Sequence, residues 1–221
     1  MNLRVTGLLS SYERLQNYFM ANLITLLRFP LLFVYVALLY YGNATVVFWC
    51  VPFIVLIILM DTVDGIIARA RNEVSLLGSA LDIATDRTLE IILWVVFSDL
   101  DLIPVLVPLI VITRGTTVDA VRAVGMSTGK AAFDQVRSPI SRFLVSSKFM
   151  RSIYGTLKGF AFAFLTLDLG LHRLGSPWID TVHTITLVLT WLSVAVSLAR
   201  GIPVLVEGYS LLKDPPRAKD Q

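Results

Sequence analysis

A chain of 221 residues that is 56% hydrophobic, with 16% charged residues and a mean hydropathy of +0.74, lacks the polar surface of an ordinary soluble domain. The net charge of +3 is modest, no nucleic-acid partner is expected, and the single Cys50 excludes a disulfide or zinc–cysteine framework. These values describe one compact all-α domain embedded in a membrane.

Residues 1–20 carry Leu3, Val5, Leu8, Leu9, Tyr12, Leu15 and Tyr18 among polar neighbours, as an amphipathic surface helix would. Glu13 and Arg14 break the apolar core that a cleavable signal needs. A first span is expected from about Asn22 to Tyr41, with Arg28 facing a partner or a wet cavity, because an arginine in lipid is costly. After a Gly42-Asn43 turn, Thr45 to Met60 reads as a second span, about 24 Å of helix set against an apolar core of roughly 30 Å. Arg69 to Ser75 is a polar connection. The third span, Leu76 to Phe97, contains Asp82, Asp86, Arg87 and Glu90. A fourth run from Leu102 to Thr113 continues to about Arg122, with Pro104 and Pro108 as expected kinks. A polar stretch at 123–150 precedes a fifth span, Ile153 to Leu171, which contains Lys158. Gly175-Ser176-Pro177 turns the chain into a sixth, Trp178 to about Val206. The layout is thus a juxtamembrane segment (1–20), a six-helix transmembrane catalytic domain (21–208) and a polar tail (209–221).

Six spans put both termini on one side, and that side receives fifteen of the nineteen Lys and Arg residues. The other side receives Arg173 alone, while Arg28, Arg87 and Lys158 lie within spans. The positive-inside rule therefore sets both termini and the Asp61–Asp86 stretch at the cytoplasmic face of the cell membrane. His172 and His183 fall toward the outer side and read as non-ligands. Trp49, Trp94, Trp178 and Trp191 read as packing residues or interfacial anchors, and Cys50 as a small buried or lipid-facing one.

Four carboxylates sit in or beside strongly apolar sequence. Asp61 and Asp64 are three residues apart and Asp82 and Asp86 four apart, so on helices each pair shares a face. Gly78 lies on the same stripe as Asp82 and Asp86. Two such helices facing each other would gather four acids that cannot all stay ionised without cations. Oxygen-only ligands suit two hard divalent ions, Mg²⁺ or Mn²⁺. Arg69 lies within reach of phosphates bound there, and Gly65 and Gly78 let a ligand approach the backbone. Phosphoryl transfer from a nucleotide diphosphate at the membrane surface follows. A divalent-cation transporter would also use intramembrane carboxylates, but leaves Gly65, Ala68, Arg69 and Gly78 without a reason for their spacing.

The stretch from Asp61 to Asp86 resembles the motif of the CDP-alcohol phosphotransferase family, D-x-x-D-G-x-x-A-R-x8-G-x-x-x-D-x-x-x-D, at every fixed position. Asn22-Leu-Ile-Thr25-Leu-Leu-Arg28 is similar to the family's N-x-x-T-x-x-R segment. The resemblance implies transfer of a phosphatidyl group from CDP-diacylglycerol to an alcohol, with release of CMP. It implies metal binding by Asp61, Asp64, Asp82 and Asp86, and proton abstraction from the acceptor hydroxyl by Asp86. It assigns Gly65, Ala68, Arg69 and Gly78, with Asn22 and Thr25, to the CDP donor. It also implies a homodimer.

Arg114-Gly-Thr-Thr-Val118-Asp-Ala-Val-Arg122 is similar to the R-E-x-x-V-x-x-L-R segment of phosphatidylglycerophosphate synthases, with Gly115 in place of the acid. Ser152-Ile-Tyr-Gly155-Thr-Leu-Lys158 resembles their S-x-x-G-K-x-K segment, with Thr156 for the first lysine. Arg114, Arg122 and Lys158 are then candidates to bind a phosphorylated acceptor, glycerol 3-phosphate first and inositol phosphate next.

Overall fold

The computed structural model describes residues 25–70, 76–127 and 139–213. The expected amphipathic segment, Asn22 and the polar tail beyond residue 213 lie outside the described residues. The described chain forms helices α1 (Thr25–Tyr41), α2 (Ala44–Ala70), α3 (Leu76–Asp99), α4 (Leu106–Ser127), α5 (Pro139–Ser146), α6 (Lys148–Leu174) and α7 (Ile179–Lys213), with no strand among the described residues.

The breaks fall where backbone chemistry puts them. The Gly42 N–H bonds the Leu38 carbonyl at 2.9 Å, and a Cβ there would sit 2.5 Å from that oxygen, so only glycine fits the α1–α2 turn. Asn43 Oδ1 accepts from the Val46 N–H at 3.0 Å and caps α2. Pro104 precedes α4 and Pro108 lies in its first turn, where a missing N–H costs no intrahelical bond. The two prolines therefore sit at the entry to α4, not at the mid-helix kinks expected of them. Gly175, at φ 66°, closes α6: its N–H bonds the His172 carbonyl and the Ser176 N–H bonds the Leu171 carbonyl, each at 3.2 Å. Pro139 opens the short α5 inside the stretch read from sequence as polar connection.

Contacts set the directions of the helices. Gly170 packs beside Phe48 and Gly159 beside Ile58, so α6 runs antiparallel to α2 at close range. Arg28 meets Asp82 near the starts of α1 and α3, and Tyr40 donates to Asp99 at their ends, so these two helices run in the same sense. Arg87 meets Asp119 and Gly201 meets Arg114, which brings the middle of α4 and the C-terminal half of α7 to the N-terminal half of α3. Every charged residue singled out within the third and fifth spans therefore gathers at one end of the bundle.

The interior combines an apolar core with polar groups. Tyr35, Leu39, Ile54, Leu93, Phe97, Phe162 and Leu165 are fully buried, and Trp94 stacks at a tilt on Phe162 with ring centroids 4.7 Å apart. Tyr35 bonds Thr166 at 2.5 Å, while Thr166 itself donates to the Phe162 carbonyl at 2.7 Å. Thr85, Thr186 and Ser193 likewise return their hydroxyls to carbonyls four residues back. The outside is apolar: Phe33, Trp49, Leu56, Val105, Phe149, Phe160, Val188 and Val206 are all exposed. An apolar exterior over an interior holding Arg28, Glu90, Lys158 and Asp168 is the arrangement lipid selects. Of the four tryptophans, Trp94 is core, whereas Trp49, Trp178 and Trp191 are exposed. Cys50 is buried.

Among the described residues, Ile179–Glu207 alone is both long and apolar enough to cross a membrane, and Thr25–Tyr41 and Ala44–Met60 are shorter apolar helices. The charged residues that make α3 interesting also lower its hydropathy. The expected count of six spans is therefore not reached by apolarity alone.

Candidate active site

The stripe on α3 begins at Gly78 and recurs every four residues at Asp82, Asp86 and Glu90. Asp82 and Asp86 are each about half exposed, while Glu90, further along the helix, is buried. Each carboxylate meets a cation from another helix. Arg28 of α1, 1% exposed, has Nη1 3.8 Å from Asp82 Oδ1. Lys158 of α6 has Nζ 3.2 Å from Asp86 Oδ1 and 3.4 Å from Glu90 Oε2. Three helices thus turn their charges to one place, and Arg28 has the partner that its cost in an apolar span demands. Thr25, one turn before Arg28 on α1, is buried on the same face.

Lys158, expected from sequence at an acceptor phosphate, is buried and faces the carboxylates. The Tyr154 hydroxyl, one turn earlier on α6, donates to Glu90 Oε1. The cations of Lys158 and Arg200 lie over the Tyr154 ring, 5.6 and 5.4 Å from its centroid.

A second group of cations adjoins these. Arg87 has Nη1 3.7 Å from Glu90 Oε2 and Nη2 3.2 Å from Asp119 Oδ1. It passes against Gly115, where a Cβ would stand 3.3 Å from Nη1. The glycine that departs from the resembled R-E segment thus makes room for a guanidinium from α3, which finds its acid one turn on at Asp119. Arg114 is half-buried, with a buried Nε that makes no hydrogen bond among the described residues. It rests on α7 at Gly201, where a Cβ would come within 2.6 Å of that nitrogen. Arg122 and Arg200 lie close enough to Arg114 for the three to feel one another's charge. Arg200 donates from Nε to the Leu144 carbonyl of α5 at 3.3 Å. Arg114, Arg122 and Arg200 gather on the face formed by α4 and α7, with Glu90 and Asp119 beside them, and three guanidinium groups so close together suit an anion.

The α2 half of the motif is described as backbone only. Asp61, Asp64, Gly65, Ala68 and Arg69 lie on the last part of α2, which continues unbroken through the motif; their side chains fall outside the described residues. Ile58 packs at the level of Gly159, so α2 enters the motif at the depth of Lys158. Gly78 sits within the first turn of α3.

Sequence reasoning passed over Glu90, Arg87, Tyr154 and Arg200. The signal for Glu90 was present: the four-residue repeat runs one turn past Asp86. Tyr154 stands one turn before Lys158. Nothing in the chain marks Arg200 apart from other basic residues near span ends. Arg87 pairs with Glu90 on its own helix and with Asp119 on α4.

The donor set has the chemistry expected of a hard-cation site. Asp82 and Asp86 place half-exposed carboxylate side chains one turn apart, with no sulfur or nitrogen ligand in the stripe. No individual curated protein matches the chain. The family model described as CDP-alcohol phosphatidyltransferase matches residues 18–199, from before α1 to the second half of α7. Members of that family are membrane-associated, generally dependent on a divalent metal, and transfer phosphatidyl groups from a CDP-linked alcohol to an alcohol acceptor. Since the match takes in most of the chain and every helix contributing a charge to this site, the protein belongs to the CDP-alcohol phosphatidyltransferase family.

Proposed function

We propose that the protein transfers a phosphatidyl group from CDP-diacylglycerol to a phosphorylated alcohol, glycerol 3-phosphate first, as phosphatidylglycerophosphate synthases do. The observation that carries this reading is the adjacency of two unlike surfaces. The α3 carboxylate stripe, suited to a metal-bound diphosphate, borders the arginines of α4 and α7, suited to a phosphate monoester. A neutral acceptor such as an inositol or a lipid alcohol would need fewer cations there.

In this reading Asp61, Asp64, Asp82 and Asp86 hold two divalent ions, Mg²⁺ or Mn²⁺, which when bound supply charge neutralisation for the diphosphate. Gly65, Ala68, Arg69 and Gly78 line the CDP donor with Asn22 and Thr25. Arg114 and Arg122, joined by Arg200, orient the acceptor phosphate. Lys158, tethered to Glu90, holds Asp86 in place beside the acceptor hydroxyl. Asp86 takes that proton, the alkoxide oxygen bonds to the phosphatidyl phosphorus, and the bond to CMP breaks. The polypeptide crosses the cell membrane six times, with α1–α4, α6 and α7 as spans and the site at the cytoplasmic face. The surface helix and a homodimer belong to the same reading.

The test is CMP release from CDP-diacylglycerol by purified protein over a panel of acceptors, with and without Mg²⁺ or Mn²⁺. Glycerol 3-phosphate should support metal-dependent release best. Release with an unphosphorylated acceptor alone would overturn the acceptor assignment. Divalent-cation flux in proteoliposomes without any CMP release would replace the enzyme by a transporter.

A further inference from the structure

Ten residues beyond Lys158 on α6, about 15 Å along the helix at 1.5 Å per residue, a second polar cluster is buried where no catalytic charge reaches. Asp168 is 0% exposed in the middle of apolar α6. Its Oδ2 lies 2.8 Å from His183 Nδ1 and its Oδ1 3.6 Å from His172 Nε2. Oδ1 is buried and accepts no hydrogen bond from the described residues. A carboxylate oxygen left so in an apolar interior is costly unless something else binds it. The ligand atoms of Asp168, His172 and His183 all lie within 4.8 Å of one another.

The fold brings them together by ordinary means. Asp168 and His172 are one turn apart on α6. The Gly175 cap reverses the chain, and α7 starts at Ile179, so His183 falls in the second turn of the returning helix. The two imidazoles meet edge-on, with centroids 6.0 Å apart and planes at 89°, and each turns one nitrogen to Asp168. Neighbouring Arg173 is turned away, donating to the carbonyls of Leu39, Tyr40 and Gly42 at the end of α1.

We propose that Asp168, His172 and His183 form a three-ligand site for a borderline divalent transition metal, Zn²⁺ first, which ties the end of α6 to the start of α7. Two imidazole nitrogens and one carboxylate oxygen form a donor set typical of Zn²⁺ and foreign to the oxygen-only preference of Mg²⁺. Drawing the three atoms in to about 3.3 Å, the edge of a tetrahedron with bonds of about 2.0 Å, takes a small closure of the turn. His172 and His183 are both partly exposed, which leaves an entry path and a fourth position open to water. The site is separate from the aspartates of α2 and α3 in place and in ligand type.

The experiment uses the full chain, purified in detergent with any affinity tag removed and stripped by a chelator. It is then exposed to Zn²⁺ in excess Mg²⁺, which fills the oxygen-only site. After desalting, the wild type should retain one zinc ion more per chain than His172→Ala or His183→Gln, by elemental mass spectrometry. Zn²⁺ should raise the wild-type unfolding midpoint by several degrees and leave the variants unmoved. Co²⁺ should give visible bands of a four-coordinate, nitrogen-ligated ion in the wild type only. CMP release should be the same in all three proteins, which shows that the variants are folded. Equal zinc in wild type and variants, or none in either with an unshifted midpoint, would overturn the site and leave Asp168 as a plain ion-pair partner of the histidines.

Discussion

Asp86 and Glu90 are one turn apart on the same stripe and share one lysine, yet they should respond differently to substitution. Asp86 is half exposed, so Asp86→Asn should fold normally and lose about 10²–10⁴-fold in CMP release, the range of general-base catalysis. Near-normal turnover would remove Asp86 from its role. Glu90 is buried, accepts from Tyr154 and faces both Lys158 and Arg87. Glu90→Ala would leave two cations short of their carboxylate, and a loss of about 3–5 kcal/mol is expected in thermal unfolding. A variant as stable as wild type would show that the network is not a structural unit. Asp82, Asp86 and Arg28 were legible as charges too costly to be incidental. That Lys158 would turn to the acids was not, because a single lysine in a span carries no direction in its sequence.

At the scale of elements, two helix contacts bear directly on the site and on the turn that supports it. Gly201 of α7 lets Arg114 of α4 lie flat against the helix. Gly201→Ala should displace that guanidinium and raise the KM for a phosphorylated acceptor about tenfold, the loss of one charged hydrogen bond of about 1.5 kcal/mol. The KM for the CDP donor should not change, and an equal rise in both would point to general loosening of α7. Arg173 of α6 satisfies three carbonyls at the end of α1. Arg173→Ala should cost about 1–3 kcal/mol by leaving acceptors without a donor. An unchanged unfolding midpoint would show that water replaces it. Helix positions could be read from apolar runs and glycine turns to within a few residues. The extension of α2 to Ala70 and the short α5 could not, because polar residues at a membrane face look the same whether helical or not.

For the whole molecule, the alternation of helix directions sorts charge. The halves of α1, α3, α4, α6 and α7 that carry the site's cations and acids meet at one end, while the Gly42 and Gly175 turns lie at the other. Reporters fused at Ser176 and at the C-terminus should fall on opposite sides of the membrane, the second in the cytoplasm. The same side for both would undo the six-span reading. The chemistry of the site was determined by the sequence itself, since acids spaced by whole helical turns in an apolar chain must share a face and find cations. What the tertiary structure alone decided is which cations they find. Arg28, Lys158 and Arg87 come from three helices, and the Asp168–His172–His183 cluster needs a turn to close it. Spacing along one helix is a local property of the backbone, whereas the meeting of side chains from different helices depends on how those helices pack.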